Sequence, residues 1–360
     1  MSELESGPGA EGRGRPGQVG QDSSEALLRA VGLTCHFRAG GLFARGTLHA
    51  VDDLNLSIGR REIVALVGES GSGKSTIARL FAMLYKPTRG EIFFEGRPLS
   101  GIHSRKERLA YRRDVPMIFQ DPFASLNPTY RVSHGILRSM KLHRPELSHE
   151  QRVEAALWAL DAVGLVPATD MLVKFPYELS GGQRQRVGFA EALVCRPKLI
   201  LADEPVSMLD VSIRVGILNL MADLREREGV SLLYITHDIA SARYIADRVL
   251  VLYGGQLVEE GPADEVLQQP KHPYTQLLLS AVPNPQAELS LVDAADVGEP
   301  PKVVNPKEGC RFRHRCPFAI DQCDSVTPKL RLLRPDHRAA CHVAEAEPLE
   351  FADSVSVPGV

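Results

Sequence analysis

The sequence lacks any apolar run of the ~18–20 residues that a membrane-spanning helix needs. Its first residues contain no apolar segment of the kind found in secretory signals, so we expect a cytosolic protein that meets a membrane only through a partner. It has no basic surplus, since 42 Lys and Arg face 45 Asp and Glu, which argues against general nucleic-acid binding. Six cysteines in 360 residues are too few for a disulfide scaffold.

The remaining composition, 44% hydrophobic and 24% charged, is that of an ordinary globular protein, but it changes along the chain. Residues 1–25 are rich in Gly, Pro, Glu and Ser, and we predict a disordered tail there. A folded domain is predicted over 26–281, followed by a Pro-rich segment, 282–345, that holds four cysteines, and by a flexible tail, 346–360. The glycine-containing stretch Phe37–Leu48 is predicted to be a loop.

Apolar patterns within the folded domain alternate between strands and helices. The run Glu62–Val67 predicts a buried strand, and the helical spacing of Ile77, Leu80, Phe81 and Leu84 predicts a helix after it. Further strands are predicted at 92–94, 198–202 and 231–236, and a helix with a capping box begins at Ser148. Strands that alternate with helices indicate an α/β fold with a mostly parallel sheet.

A glycine-rich loop joins the first of these strands to its helix and matches the pattern G-x-x-x-x-G-K-[ST]. Glycines let backbone N–H groups converge on phosphates, and the helix N-terminus adds positive potential. A glycine turn with a chance lysine is the alternative, but the strand-to-helix context favours nucleotide binding. The predicted contacts are the loop residues Gly68, Ser70, Gly71, Ser72, Gly73, Lys74, Ser75 and Thr76.

Two acidic residues follow a second buried strand. Asp203 is predicted to hold Mg²⁺ together with Ser75, and Glu204 is predicted to polarise the water that attacks the nucleotide. The alternative is a pair of solvent-facing acids at a strand end. Two acids after four apolar residues, in a chain that also carries the phosphate loop, make hydrolysis the better interpretation.

Leu179–Gln183 resembles the signature sequence of the ABC ATPases, and the other motifs of that family occur around it in the family's order. Gln120 matches the Q-loop, Asp210 the D-loop and His237 the switch histidine. The resemblance covers roughly Leu27 to His342. It implies a P-loop NTPase cassette with a RecA-like mixed sheet, an antiparallel β region, an α-helical subdomain at about 121–190 and a cysteine-containing extension.

The resemblance also implies a mechanism with ATP and Mg²⁺. Two ATPase domains close head to tail, and each nucleotide lies between the phosphate loop of one domain and the signature of the other. The signature residues are Ser180, Gly181, Gly182 and Gln183. Gln120 is then expected to sense Mg²⁺ and water, and His237 to contact the γ-phosphate. The family stacks an aromatic residue on adenine, for which Phe37 is the candidate, with a core role as the alternative.

Three features resemble the ATPase subunits of dipeptide, oligopeptide and nickel importers: the sequence Gln120–Pro128, the sequence His272–Thr275 and the cysteine-bearing tail. The resemblance is to the second of the two ATPase subunits in such importers. It implies two transmembrane permease subunits, a paralogous second ATPase rather than a copy of this chain, an extracytoplasmic solute-binding protein and a place at the cytoplasmic face of the membrane. Peptides are the expected cargo; oligosaccharide or nickel cargo, and less so a soluble non-transport ABC ATPase, are the alternatives.

The four cysteines of the tail, spaced by 5, 6 and 17 residues, can hold zinc or a 4Fe–4S cluster. Structural zinc favours tight C-x2–4-C pairs, which this tail does not have. Members of the resembling branch with such a tail are associated with an iron–sulfur cluster, so we expect one here, with zinc or free thiols as alternatives. The expected ligands are Cys310, Cys316, Cys323 and Cys341.

Overall fold

The computed structural model describes residues 26–39, 46–121, 126–280 and 303–344. The predictions of a disordered tail at 1–25 and a flexible tail at 346–360 therefore lie outside the described residues. The predicted boundary at 281/282 and the first part of the extension, up to residue 302, also lie outside them.

An eight-stranded mixed sheet forms the centre of the fold, with the strand order β11-β12-β10-β9-β3-β8-β7-β6. The five strands from β9 to β6 run parallel, and β10, β12 and β11 continue the sheet in antiparallel pairing. The parallel strands confirm the α/β prediction. The strands of this sheet are β3 Ile63–Val67, β6 Met117–Ile118, β7 Leu199–Asp203, β8 Ser231–Thr236, β9 Arg248–Tyr253, β10 Gln256–Pro262, β11 Arg331–Arg334 and β12 His337–Ala339.

The central strands are apolar along their whole length because both faces of the sheet are covered. In β3, Ile63, Ala65 and Val67 pack into one core, while Val64 and Leu66 pack into the core on the opposite face. All five residues of this strand are buried. A strand that is buried on both faces has a continuous apolar sequence, and this run predicted the strand correctly.

A second, antiparallel sheet of four strands packs beside the first, in the order β2-β1-β4-β5. The prediction of a loop over Phe37–Leu48 is wrong at both ends, because β1 continues to Ala39 and β2 begins at Gly46. Cross-strand pairing, such as that of Phe37 with Leu48, outweighs the glycine signal. The strands of this sheet are β1 Leu28–Ala39, β2 Gly46–Ile58, β4 Arg89–Phe94 and β5 Arg97–Pro98.

Helices cover the sheets and form a cluster between β6 and β7. Ser148 makes the predicted capping box with Gln151, whereas the helix after the phosphate loop ends at Phe81 and leaves Leu84 47% exposed, contrary to its predicted place on the apolar face. The described helices are α1 Lys74–Phe81, α2 Arg105–Asp114, α3 Val132–His143, α4 His149–Ala162, α5 Ala168–Val173, α6 Gly181–Leu193, α7 Val211–Glu228, α8 Ile239–Ile245, α9 Ala263–Gln268, α10 Pro273–Ser280 and α11 Gln322–Ser325. Of these, none is both long and apolar enough to cross a bilayer.

The C-terminal extension joins the central sheet through the hairpin β11–β12, which the sequence analysis did not predict. Strand β12 pairs with β10, opposite Glu259 and Glu260. The Glu259 carboxylate is fully buried and accepts hydrogen bonds from the Lys271 and His272 backbone N–H groups (2.6 and 3.0 Å) and from His337 (2.7 Å). Buried polar groups of this kind require full hydrogen bonding, so the pairing of the extension with the cassette is specific.

Candidate nucleotide site

The carboxyl ends of four parallel strands, β3, β6, β7 and β8, meet at one edge of the central sheet. Ligands of open α/β sheets bind beyond this edge. Gly68 follows β3, Gln120 lies two residues after β6, Asp203 ends β7 and His237 follows β8. The structure therefore brings together residues that the sequence separates by more than a hundred positions.

The phosphate loop has a backbone that only glycine tolerates at two positions. Gly68 has φ of 152°, and a Cβ there would lie 2.3 Å from the Leu252 carbonyl oxygen; Gly73 has φ of 109°, and its Cβ would lie 2.2 Å from the Ala50 carbonyl oxygen. Gly71 has φ of 78° with open space around it. Ser70 is exposed at the tip and Ser72 is buried, while Lys74, Ser75 and Thr76 form the first turn of α1.

Lys74 is 4% exposed, and its Nζ donates to the carbonyl oxygens of Gly68 (2.7 Å) and Glu69 (2.8 Å). Burial lowers the pKa of the Lys74 ammonium, and the nearby carboxylates of Glu204, Asp203 and Glu69 oppose that effect. A buried ammonium at a helix N-terminus is suited to bind a phosphate anion.

The predicted Mg²⁺ ligands Ser75 and Asp203 are in direct contact. The Ser75 hydroxyl donates to Asp203 Oδ1 at 3.0 Å. Burial raises the pKa of the Asp203 carboxyl and the Glu204 charge adds to this, while the Ser75 hydrogen bond opposes it. A hydroxyl beside a carboxylate presents the oxygen donors that Mg²⁺ prefers.

Two residues that were predicted to be catalytic, Gln120 and His237, both lie against one carboxylate oxygen of Glu204. The Gln120 side-chain amide donates to Glu204 Oε2 at 3.0 Å, and His237 Nδ1 lies 3.3 Å from the same oxygen. Glu204 itself has φ of 48°, a left-handed conformation that is uncommon for a residue with a side chain and is often found at functional sites. The three residues that the family resemblance assigns to catalysis therefore form one cluster, with Glu204 in the centre.

The signature residues begin α6, with Ser180 as an exposed N-cap. The Ser180 hydroxyl accepts from the Gln183 N–H (3.2 Å), and the Gln183 side chain accepts from the Ser180 N–H (3.0 Å). Gly182 is buried against Ile213. Within the described residues, no hydrogen bond or ion pair joins Ser180–Gln183 to the phosphate loop. Asp210 is the N-cap residue of α7, at the start of the helix that follows Glu204.

Phe37 lies on β1, half-buried, with its ring 5.4 Å from that of Tyr85 in an edge-to-face contact. It packs against the core that the antiparallel sheet shares with the central sheet. The side chain is therefore partly engaged in packing, and its adenine contact stays a prediction.

The four cysteines of the extension are reduced and half-buried or buried. Burial raises the pKa of Cys310 to about 11, and the three other thiols add to the effect. The pKa values of Cys316 and Cys341 are raised as well, by burial first and then by neighbouring thiols. The thiols are therefore electrostatic neighbours. No three of the sulfurs, however, lie within 4.8 Å of one another. They do not surround one point closely, as the four sulfurs of a zinc site do at about 3.8 Å from each other, a spacing that follows from tetrahedral Zn–S bonds.

Within the described part of the chain, one group of side chains does lie close enough to hold a single ion: His36, His49 and Asp52. Arg311 of the extension also pairs with Asp52, and these donors lower the pKa of the Asp52 carboxyl to about 2 despite its burial. A guanidinium at the carboxylate repels a cation. We therefore interpret the group as a hydrogen-bonded contact between the antiparallel sheet and the extension.

The sequence analysis missed the contacts that hold Glu69 in the phosphate loop. Arg315 makes a bidentate ion pair with the Glu69 carboxylate (2.7 and 2.8 Å), and the Tyr274 hydroxyl accepts from the Glu69 backbone N–H at 2.8 Å. No local pattern could reveal them, since Arg315 is 246 residues from Glu69. The one sequence signal is that Tyr274 belongs to the His272–Thr275 sequence and that Arg315 lies between Cys310 and Cys316, two features noted for other reasons.

Comparison with known proteins agrees with this geometry. Residues 51–207 match the family model described as ABC transporter, and residues 258–323 match that of the oligopeptide/dipeptide transporter C-terminal region. A putative peptide import ATP-binding protein of Brucella ovis is 43% identical over 315 residues, with 88% of this chain and 97% of the relative covered. The oligopeptide transport ATP-binding protein AppF of Bacillus subtilis is 43% identical over 307 residues, with 84% and 92% covered.

Solved structures show the same relationship. The dimeric post-hydrolysis state of the ATP-binding cassette MJ0796, bound to ADP and Pi, superposes with a TM-score of 0.58 at 30% identity and covers 66% of this chain and 99% of that one. The family match, the fold and the clustered motif residues agree. The chain therefore belongs to the ABC transporter ATPases, in the branch that carries the oligopeptide/dipeptide transporter C-terminal region.

Proposed function

We propose that this chain hydrolyses ATP to drive the uptake of peptides through permease subunits in the membrane. The Glu204 cluster is the observation that carries the proposal. A carboxylate that is 15% exposed and shared by Gln120 and His237 is suited to take a proton from a water held between them. The relatives named as peptide and oligopeptide import ATP-binding proteins support the cargo class.

The complete catalytic site requires a second ATPase domain. Ser180 is exposed at a helix N-terminus, where a hydroxyl and free N–H groups can stabilise negative charge on a γ-phosphate. Such a donor set is useful only when another phosphate loop approaches it. We propose that a paralogous ATPase supplies that loop, and that its own signature covers Lys74 in return, with Asp210 at the boundary between the two domains.

We propose that Ser75 and Asp203 hold Mg²⁺, with Gln120 completing the set. Their mutual hydrogen bond and the burial of Asp203 support this assignment, because a partly desolvated carboxylate gains most from a divalent cation. Bound Mg²⁺ would neutralise charge on the β- and γ-phosphates. Glu204, the next residue, is then free to act on water rather than on the metal.

An open groove between α3 and α4 is the surface where we place the permease contact. Its walls carry Leu137 and the basic residues Arg131, Arg138, Lys141 and Arg152. This combination suits an amphipathic permease segment with acidic residues on its polar side. Two permease subunits at the cytoplasmic face of the membrane, supplied by an extracytoplasmic solute-binding protein, complete the proposed importer.

We propose that Cys310, Cys316, Cys323 and Cys341 hold a 4Fe–4S cluster. The three other thiols each contribute to the raised pKa of Cys310, which supports a shared site. Bound to these thiolates, the cluster would brace the loop between Gly309 and Cys323. Iron and acid-labile sulfide in anaerobically purified protein support the proposal, whereas zinc or the absence of metal contradicts it.

The importer function is tested by purification and reconstitution. The tagged chain is expected to bring down two membrane subunits and a second ATPase. Proteoliposomes of that complex are expected to accumulate a labelled oligopeptide only when the binding protein and ATP are present. Uptake of an oligosaccharide or of nickel instead would correct the cargo. Purification of the chain alone, with ATPase activity that no permease alters, would contradict a transport role.

A further inference from the structure

Glu69, the second residue of the phosphate loop, is held on three sides. Its carboxylate accepts two hydrogen bonds from Arg315, at 2.7 and 2.8 Å, and its backbone N–H donates to the Tyr274 hydroxyl at 2.8 Å. Its carbonyl oxygen accepts from Lys74 Nζ at 2.8 Å and from the Ser72 N–H at 3.2 Å. The residue that orients the lysine is therefore itself oriented by residues outside the loop.

Arg315 and Tyr274, the two partners from outside the loop, lie among buried and tightly packed side chains. Arg315 is only 10% exposed and ends the short 3-10 turn between Cys310 and Cys316. Its guanidinium lies 5.8 Å from the ring of Tyr253 and 5.9 Å from that of Phe312. Tyr253, Phe312 and Tyr274 are buried and pack edge to face or tilted against one another. Because packing fixes these side chains in advance, little conformational entropy is lost when they hold the loop.

The charge of Glu69 gives this contact a role beyond support. A carboxylate in a loop that binds a polyphosphate repels its ligand. The bidentate Arg315 pair cancels that charge and keeps the carboxylate turned toward the extension, with only 25% of the Glu69 side chain exposed. Arg313, in the same turn, pairs instead with Asp324, and these two side chains are 39% and 43% exposed.

We propose that Arg315 and Tyr274 are positioning residues of the nucleotide site, through which the C-terminal extension sets the affinity of the phosphate loop for ATP. Arg315 neutralises Glu69, and the Tyr274 hydroxyl fixes the backbone of the same residue. The proposal rests on the assignment of Gly68–Thr76 as the nucleotide-binding loop.

The test compares ATP affinity in full-length variants, measured by titration with a fluorescent ATP analogue. Arg315→Gln is expected to weaken binding about tenfold or more, since it removes two charge-assisted hydrogen bonds and exposes the phosphates to the Glu69 charge. Tyr274→Phe, which removes only a hydroxyl, is expected to weaken it about two- to tenfold. In both variants KM for ATP rises, while kcat at saturating ATP changes less than about twofold, because the Glu204 cluster is untouched.

The matched control is Arg313→Gln, which removes a neighbouring arginine with an exposed partner and is expected to leave ATP affinity unchanged. A second readout separates charge neutralisation from support. Adding Glu69→Gln to Arg315→Gln is expected to restore part of the lost affinity, because the repelling charge is then absent.

The proposal is overturned by an Arg315→Gln protein that binds ATP as the wild type does, by an equal loss in Arg313→Gln, or by a double variant no better than the single one. Should Arg315→Gln not fold, unchanged affinity in Tyr274→Phe overturns it as well. A wild-type chain that fails to bind the analogue would instead refute the nucleotide site itself.

Discussion

Glu204→Gln changes one oxygen of the Glu204 cluster into an amide nitrogen and leaves its shape intact. The Gln120 amide and His237 Nδ1 lie 3.0 and 3.3 Å from Glu204 Oε2. A glutamine whose amide oxygen takes that position still accepts from Gln120 and keeps its contact with His237. We therefore expect the variant to fold normally and to bind ATP, because neither Lys74 nor the Ser75–Asp203 pair is altered.

The expected loss is in the chemical step. A positioned general base contributes ~10²–10⁴-fold to a rate, which corresponds to about 3–5 kcal/mol of activation free energy. The Glu204 side chain is 15% exposed, so bulk water has little access to replace it as the base. Turnover is expected to fall by at least ~10²-fold. ATP that is bound and not hydrolysed is expected to hold the two ATPase domains closed.

Phosphate release at saturating ATP and size-exclusion chromatography with ATP measure the two effects. Glu226→Gln is the control, since that side chain is 61% exposed on α7 and its removal is expected to leave turnover unchanged. A Glu204→Gln protein that releases phosphate at the wild-type rate would show that another group activates the water. A variant that no longer binds ATP would show instead that Glu204 has a structural role.

Three further predictions concern the glycines of the phosphate loop, the pH dependence of the protein's stability and the cysteines of the extension. Gly73→Ala is expected to abolish ATP binding in the same titration, since its Cβ would meet the Ala50 carbonyl oxygen at 2.2 Å. Gly71→Ala strains a backbone with φ of 78° but meets no other atom, so it is expected to weaken ATP binding less. His272 is buried, its Nδ1 accepts from the Tyr274 N–H, and burial lowers its pKa to about 3, so the unfolded chain binds its proton first. The free energy of unfolding is therefore expected to fall as the pH drops from 6.5 toward 3, by up to ~1.4 kcal/mol per pH unit. In denaturation experiments, the free energy of unfolding of His272→Asn is expected to depend less on pH than that of the wild type. Equal pH dependence of the two proteins would contradict this. Exchange of any one extension cysteine for serine is expected to lower the iron content of anaerobically purified protein, and an unchanged iron content would exclude that cysteine as a ligand.

The phosphate loop and the acids Asp203 and Glu204 could be proposed from local signals, whereas Gln120 and His237 came from the family resemblance. A buried parallel strand is a continuous apolar run, and each functional residue follows directly on such a run or lies within a few residues of it. Gly68 after β3 and Asp203 at the end of β7 are examples. Parallel pairing places the carboxyl ends of these strands at one edge of the sheet, so residues that follow different strands lie close together there.

Contacts between distant segments were not predictable in the same way. Strands β11 and β12 have only seven residues together, and the sequence of β11, Arg-Leu-Leu-Arg, does not alternate apolar and polar residues. Both ends of the loop predicted over Phe37–Leu48 are strand, because β1 and β2 pair with each other there. Propensities read along the sequence do not record such pairing between strands. The Glu69–Arg315 pair depends on both the extension and the cassette being folded.

Two of the three features that resemble the importer ATPases, the His272–Thr275 sequence and the cysteine-bearing tail, contact one residue of the phosphate loop. His272 and Tyr274 belong to the segment after β10, where the buried Glu259 carboxylate accepts from the His272 N–H and from His337 of β12. This network fixes the start of α10 and, through the His272 ring, the Tyr274 backbone. Tyr274 then reaches Glu69 from the cassette side, and Arg315 reaches it from the cysteine-bearing side. A phosphate loop supported in this way couples the order of the extension to ATP affinity, so damage to the extension should appear first as weaker nucleotide binding rather than as slower hydrolysis.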